Sequence, residues 1–339
     1  MNLKDIAQAA QVSPATVSLV LHNKKGVNKE TRERLTELLI QNGYVIESDP
    51  LPFSQTRSIR FLKYSLHSYL VDGNANFVSS MIDSIEHESR RLGYNLIMTS
   101  FDAHNAGEVF DMLRSQPQED GLILLGTEWY PHDNTYLQEL HSPLVIVDNL
   151  LVQEPYDCVV ANNEQLSYIA VKHLADLGHP KIGLLANSLP TCNCQSLRSS
   201  YKSALQKLGL PFDSSLIHEV PPSLSGSYES TKALLRQGVT FPSAMLAIND
   251  CIALGAIKAF KEAGVRVPED ISVVGIDNIS FSAISDPPLT TCNAYPADLG
   301  IWAVRLLDHK ISHPDSPVQK MLIDGDLIIR NSTKKYKPR

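Results

Sequence analysis

No stretch of this chain reaches the roughly 18 consecutive apolar residues that a membrane helix requires. Its start, Met-Asn-Leu-Lys-Asp, runs straight into a polar, helix-periodic segment without the apolar stretch or small-residue cleavage site of a secretory leader. Together these absences lead us to expect a cytoplasmic protein with no membrane partner. Cysteine is scarce and odd in number (Cys158, Cys192, Cys194, Cys251, Cys292), which argues against a disulfide framework. The Cys192-Asn193-Cys194 pair has no second pair with which to complete four zinc ligands. Reduced thiols and no metal are therefore expected. Glycine-rich phosphate or dinucleotide turns are also missing, since the glycines stand singly at segment ends, and no cofactor is expected.

What is present fits two or three compact units, because 339 residues exceed one ordinary core. The net charge of −7 looks unfavourable for a nucleic-acid partner, but it is unevenly spread. Residues 1–46 hold six cations and four anions, hence +2, which leaves −9 for residues 47–339.

That basic end carries a helical pattern. Leu3, Ile6, Ala7 and Ala10 share one face of a short helix. Gln11-Val12 makes a tight connection, and Ser13-Pro14 reads as an N-cap followed by proline at the first helical position. Val17, Val20 and Leu21 form the buried stripe of this second helix. Asn28 then caps a third helix that buries Leu35, Leu38 and Leu39 and stops at Gly43. Three short helices with a tight first turn describe a small all-α helix-turn-helix domain, whose second helix enters the major groove by its N-terminal end.

The string Leu3-Lys4-Asp5-Ile6-Ala7, Val12-Ser13-Pro14-Ala15-Thr16-Val17-Ser18, Val27-Asn28-Lys29-Glu30-Thr31-Arg32-Glu33-Arg34 and Gly43-Tyr44 resembles the DNA-binding domain of the lac repressor family, at matching spacing. The resemblance implies that Pro14 and Ala15 face base edges. It implies phosphate contacts for Ser13, Thr16, Ser18, Asn28 and Thr31, which fix register without reading sequence, and it includes Leu3 in the interface. Leu19 stands where the family often has arginine, so an apolar contact to a thymine methyl replaces a grip on guanine. His22 stands where the family has asparagine.

Residues 47–57 form the expected linker. The family continues here with a hinge helix that wedges a leucine into the minor groove. Pro50 and Pro52 instead push Asp49 and Leu51 toward extended conformations, and Glu47 and Asp49 repel phosphates. An extended tether is at least as well supported as the hinge helix, with Leu51 or Phe53 as the candidate wedges.

From residue 58 to 339, strand-like and helix-like segments alternate, as in a parallel α/β sheet covered on both faces. Strands are expected at Ser58–Tyr64, Tyr94–Phe101, Gly121–Gly126, Leu144–Asp148, Lys181–Ala186, Ala244–Asn249 and Ile271–Asp277, with a helix over Phe77–Leu92. Two such halves with a cleft between them suit a closing ligand clamp. The same family resemblance continues through Leu177-Gly178-His179, Ile248-Asn249-Asp250 and Val267-Pro268-Glu269-Asp270-Ile271-Ser272-Val273-Val274-Gly275-Ile276-Asp277. It implies a two-lobed, periplasmic-binding-protein-like core with parallel sheets. The crossovers are expected near Ala161–Asn163, Thr291–Asn293 and Ile323–Gly325. The N-lobe would cover about 58–161 and 292–323, and the C-lobe about 162–291 and 324–334.

By resemblance the ligand lies between an aromatic ring and forking carboxylates or amides, at Phe77, Asp148, Asn249 and Asp277. Trp129 is a further candidate for stacking on a sugar ring. The family's effector-gripping arginine falls on Leu197 here, with Arg198 one residue later, a rotation of roughly 100° on a helix. The expected function is a sequence-specific DNA-binding regulator, a repressor acting as a homodimer on pseudo-palindromic double-stranded operator DNA and controlled by a small-molecule effector, most simply a sugar. A nucleobase or other non-sugar metabolite is the alternative effector. A sugar-binding or sugar-processing protein is the remaining alternative, with Asp148 and Asp277 as an acid/base pair. No nucleophile, metal set or phosphate loop accompanies that pair, so no enzymatic activity is expected.

Overall fold

The computed structural model describes residues 3–21, 24, 26–42, 57–115, 119–138 and 140–338. The chain divides into two compact units, Met1–Thr56 and Arg57–Arg339. Among the described residues no helix is long and apolar enough to cross a membrane.

The first unit contains α1 (Leu3–Ala9), α2 (Pro14–Leu21) and α3 (Lys29–Gln41). Ile6, Ala7, Ala10, Val17, Val20, Leu35 and Leu39 are buried against one another, the stripes anticipated from helical spacing. Leu3, Leu21 and Leu38 pack at the margin of this cluster. The turn between α1 and α2 closes through Gln11, which adopts a left-handed φ of 53°, and through Val12 N–H donating to the Ala7 carbonyl at 3.0 Å. Ser13 Oγ then accepts from Thr16 N–H at 3.1 Å, and Asn28 Oδ1 accepts from Thr31 N–H at 2.8 Å, satisfying helix-start donors. Arg34 donates to the Ala10 carbonyl at 2.7 Å and ties α3 to the end of α1. Gly43-Tyr44 and residues 47–56 of the expected linker, with its candidate wedges Leu51 and Phe53, lie outside the described residues, whereas Arg57, expected as the last linker residue, begins the first strand of the second unit.

The second unit opens with β1 (Arg57–Tyr64), α4 (Ala75–Arg91), β2 (Tyr94–Phe101), α5 (Ala106–Ser115), β3 (Gly121–Leu125), β4 (Leu144–Val147) and β5 (Asp157–Ala161). It continues with α6 (Asn163–Asp176), β6 (Gly183–Asn187), α7 (Cys192–Lys207), β7 (Ile217–Val220), α8 (Leu224–Arg236), β8 (Ala244–Ala247), α9 (Asp250–Glu262), β9 (Ser272–Ile276), α10 (Ser280–Ile284) and β10 (Thr290–Asn293). It closes with α11 (Pro296–Ser312), β11 (Lys320–Ile323) and β12 (Asp326–Ile328).

These strands form two six-stranded sheets, ordered β11-β5-β4-β3-β1-β2 and β12-β10-β9-β8-β6-β7. All pairings are parallel except β10 with β12. Central strands such as β3 (Gly-Leu-Ile-Leu-Leu) and β9 (Ser-Val-Val-Gly-Ile) are buried along their whole length, which accounts for their near-continuous apolar reading. The chain changes sheet between β5 and α6, between β10 and α11, and between β11 and β12. Since β10 belongs to the second sheet through Asn293, that sheet ends two residues later than the boundary expected at 291.

Five strands escaped the sequence reading: β5, β7, β10, β11 and β12. Three of them, β7, β11 and β12, are edge strands that remain half exposed, so they lack the apolar run that marks a buried strand.

In the first lobe α4 and α11 pack closely. Glu88 on α4 is buried and accepts from Arg305 of α11 at 2.6 Å and from Arg91 at 2.7 Å. Those hydrogen bonds, Arg91 first, hold its carboxyl down at about 2 despite burial. Gly300 makes the close approach possible: a Cβ there would lie 2.1 Å from Ser84 Oγ and 2.6 Å from the Met81 carbonyl oxygen. We expect Gly300→Ala to destabilise the second unit by about 1–3 kcal/mol in equilibrium urea unfolding. An unchanged midpoint would show that the two helices have slack that this geometry denies.

Candidate functional site

Two surfaces concentrate the residues singled out from sequence. On the first unit, α2 buries Val17 and Val20 and leaves Pro14, Ala15 and Ser18 exposed, with Ser13 exposed just before it. Thr16 is half-buried, and its hydroxyl lies 2.8 Å from that of Ser13. Asn28 is exposed at the start of α3, whereas Thr31, Leu19 and Leu3 are half-buried. The outward face of α2 therefore presents small, uncharged groups. His22 lies outside the described residues.

In the second unit the residues beyond the carboxyl ends of the parallel strands converge on one cavity, the usual place for a ligand in such sheets. Asp148 follows β4 with a φ of 62°, and Asp277 follows β9 with a φ of 115°. Non-glycine residues rarely adopt these values, and they are held only where surrounding structure over-determines them. Phe77 in the first turn of α4, Asp148, Asn249 and Asp277 all line the cavity. Asn249 also caps α9, its Oδ1 accepting from Ile252 N–H at 2.7 Å.

Two expected residues lie elsewhere. Trp129 is fully buried within Tyr64, Phe110 and Tyr136, and its indole N–H donates to Asn134 at 3.0 Å. With no face free it is a core residue, not a stacking platform. Arg198 points away and pairs with Glu219 at 2.6 Å, while Leu197 lines the cavity. The one-residue offset has turned the cation out of the site.

The sequence reading missed a set of carboxamides. Asn74, Asn163, Asn187 and Asn193 join Asn249 around the cavity. Asn193 of α7 donates to Asp148 Oδ1 at 3.0 Å and to its carbonyl at 2.9 Å, and Asn163 donates to Asn193 at 3.1 Å. Asn74, just before α4, donates to Asp277 Oδ2 at 2.8 Å. Both lobes are thereby bridged twice, and the free cavity amounts to about 80 Å³. Each of these asparagines sits at a strand end or helix start, the only sequence signal they carry, and one shared with ordinary caps.

Behind the wall, Glu128 is fully buried and accepts four backbone N–H bonds, from Leu66, His67, Ser68 and Leu70, at 2.7 to 3.2 Å. It shapes the loop that brings Leu70 to the cavity. Asp250 beneath the cavity accepts from Thr291 Oγ1 at 2.5 Å, Ser282 Oγ at 2.6 Å and Ile279 N–H at 3.0 Å, fixing the turn that carries Asp277.

Burial raises the Asp148 carboxyl to about 6, with the Thr127 and Asn193 hydrogen bonds opposing the rise. Burial likewise raises Asp250 to about 7. Asp277 is pushed well above the usual carboxylate range by burial first, then by the neighbouring Asp250 charge. A cavity walled by carboxyls, carboxamides and one aromatic ring can fork onto hydroxyl and amine groups. Among the described residues no group of three side chains is placed to hold a metal ion.

The profile of bacterial regulatory proteins of the lacI family matches residues 2–46, and that of a periplasmic binding protein-like domain matches residues 171–333. The HTH-type transcriptional repressor PurR of Mannheimia succiniciproducens is 31% identical over 336 residues, covering 98% of each chain. The chain belongs to the lacI family. Like its relatives, this lacI-family protein is a sequence-specific DNA-binding transcriptional regulator. The lac repressor dimer, solved bound to operator and the anti-inducer ONPF, superimposes with a TM-score of 0.71 at 26% identity, covering 98% of this chain and 99% of that one. A LacI family regulator from Enterococcus faecium, solved with bound ribose, gives 0.70 at 25% identity over 83% of this chain and all of that one.

The raised Asp148 carboxyl sets a pH dependence. Between about 4 and 6 Asp148 holds more proton in the native state of this lacI-family protein than in the unfolded one, so its contribution to stability falls as pH rises through that window. Asp148→Asn removes the penalty. Its melting temperature should exceed that of the unsubstituted protein at pH 8, by an amount equivalent to at most about 3 kcal/mol, and match it at pH 4. A variant less stable at pH 8 would show that the carboxylate is welcome there.

Proposed function

We propose that this regulator is a homodimeric repressor of a pseudo-palindromic operator, and that a small polar effector of the sugar class, bound between its lobes, sets its affinity for DNA. The observation that carries the reading is the convergence of Phe77, Asp148, Asn249 and Asp277, from both lobes, on one cavity at the strand ends. The ribose bound to the Enterococcus faecium relative supports the same ligand class. A nucleobase is the second reading, favoured by the carboxamides, whose paired donor and acceptor suit a base edge. Ligand closure of the lobes would shift a two-state equilibrium felt by the reading helices.

The partner of the homodimer is a second copy of this chain. Leu224, Phe281 and Ile284 are exposed beside Leu254 and Ile257, an apolar patch of the kind that marks an interaction surface, and the lac repressor was solved as a dimer. Ile284→Asp should give a monomer in sedimentation equilibrium and weaken operator binding at least about tenfold, since two half-sites are then no longer held together. A variant that stays dimeric would place the interface elsewhere.

On the DNA side Pro14, Ala15 and Leu19 offer few hydrogen bonds, so methyl contacts and DNA shape carry much of the choice of site. In a selection from randomised duplexes, Leu19→Arg should change the preferred base and gain guanine with little change in overall affinity. Equal weakening on every sequence would remove Leu19 from base reading.

A further inference from the structure

The cavity carries an unbalanced set of groups. Asp148 and Asp277 both line it, and among the described lining residues there is no lysine, arginine or histidine. Two arginines on neighbouring elements are engaged elsewhere: Arg198 holds Glu219, and Arg330 donates to Asn278 and to the Leu289 carbonyl. Acceptors are also in surplus. Asn74 is more than nine-tenths buried, and its Oδ1 has no partner. Asp277 receives a single side-chain bond, from that same Asn74. Asp250, which faces Asp277 from below, adds a third carboxyl behind the wall. The Arg330 charge reaches Asp250, but among the described lining residues no cation faces Asp148 or Asp277, and carboxylates so enclosed are costly unless their charge is matched or they stay protonated. A ligand that brought a positive charge and several donors would match every surplus at once, whereas an anionic one would meet two carboxyls and no counter-charge.

We propose that the cleft binds a small polyhydroxylated ligand bearing a protonated amine, an amino sugar or aminated polyol, with the ammonium in reach of Asp277 and Asp148 and the hydroxyls on the carboxamides. This assignment rests on the cleft being the effector site and narrows its ligand. An ammonium beside Asp277 and Asp148 favours their charged forms, opposing the rise that burial imposes on both carboxyls. The ligand keeps its ammonium proton, and the carboxyl protons leave to solvent. Neutral sugars have no such effect.

Isothermal titration of the full-length protein with D-glucosamine, D-galactosamine and D-mannosamine tests this, each beside its parent hexose, with glucose 6-phosphate and adenine as controls. Repeating each titration in phosphate and in MOPS, buffers of different ionisation enthalpy that carry no hydroxyls beside a primary amine, reads the protons released. At least one amino sugar should bind about tenfold or more tighter than its parent and release protons at pH 7. Asp277→Asn should keep the fold, abolish most of that preference and reduce the release.

A hexose or adenine that binds as well as the amines, with binding lost in Asn249→Leu, overturns the amine assignment and leaves the cleft as the effector site. An amine whose binding is untouched by Asp277→Asn and Asn249→Leu overturns both. Binding of glucose 6-phosphate, or of no probe at all, also overturns the amine assignment.

Discussion

Everything in the second unit turns on one constraint: two aspartates, Asp148 buried and Asp277 half-buried, each at a left-handed φ just beyond an apolar strand, line one cavity between two lobes with no lysine, arginine or histidine among the described lining residues. Such a cluster is tolerated only if every neighbour is placed to hold it. The carboxamides of Asn74 and Asn193 reach across from the opposite lobe to do so, and Asp250 and Glu128, each satisfied by three or four donors, hold the loops behind it rigid. The cost of burial is thus turned into a site whose polarity is fixed before a ligand arrives, which is what preorganised recognition requires.

The fold supplies the position. Parallel sheets place their carboxyl ends on one side, and the three sheet changes set two such edges face to face. Close packing of α4 on α11, permitted by Gly300 and locked by Glu88, fixes the start of α4, where Asn74 and Phe77 enter the cavity. A bridge such as Asn74 to Asp277 joins residues 203 positions apart in sequence, so the cleft responds as a unit to anything that enters it.

Much of the architecture was legible in the chain itself, because its signals are local. Helical stripes in the first 46 residues, caps at Ser13 and Asn28, and apolar runs at the central strands reflect periodicity and turn chemistry. Asp148 and Asp277 were reached through the family resemblance, with Asp277 also conspicuous as a charged residue ending an apolar strand. What stayed hidden depends on distant partners. The aromatic face of Trp129 is spent on Tyr64 and Phe110, 65 and 19 residues away in the chain, so its burial leaves no local trace. Arg198 differs from Leu197 by one step on a helix, and only the helix's orientation decides which of the two meets the cavity. The carboxamides read as ordinary caps until the lobes are brought together.

In the first unit α2 offers small and apolar groups rather than forked donors, and the proposed control of DNA binding from the cleft requires coupling between the two units. That coupling is reciprocal by thermodynamic necessity. The most direct measurement is the affinity of a cleft ligand determined calorimetrically with the free protein and again with the protein saturated by its operator duplex. The two affinities should differ by the factor by which the same ligand changes operator affinity, about fivefold or more for an effector-controlled regulator. Equal affinities with and without DNA would contradict control of the reading helices from the cleft.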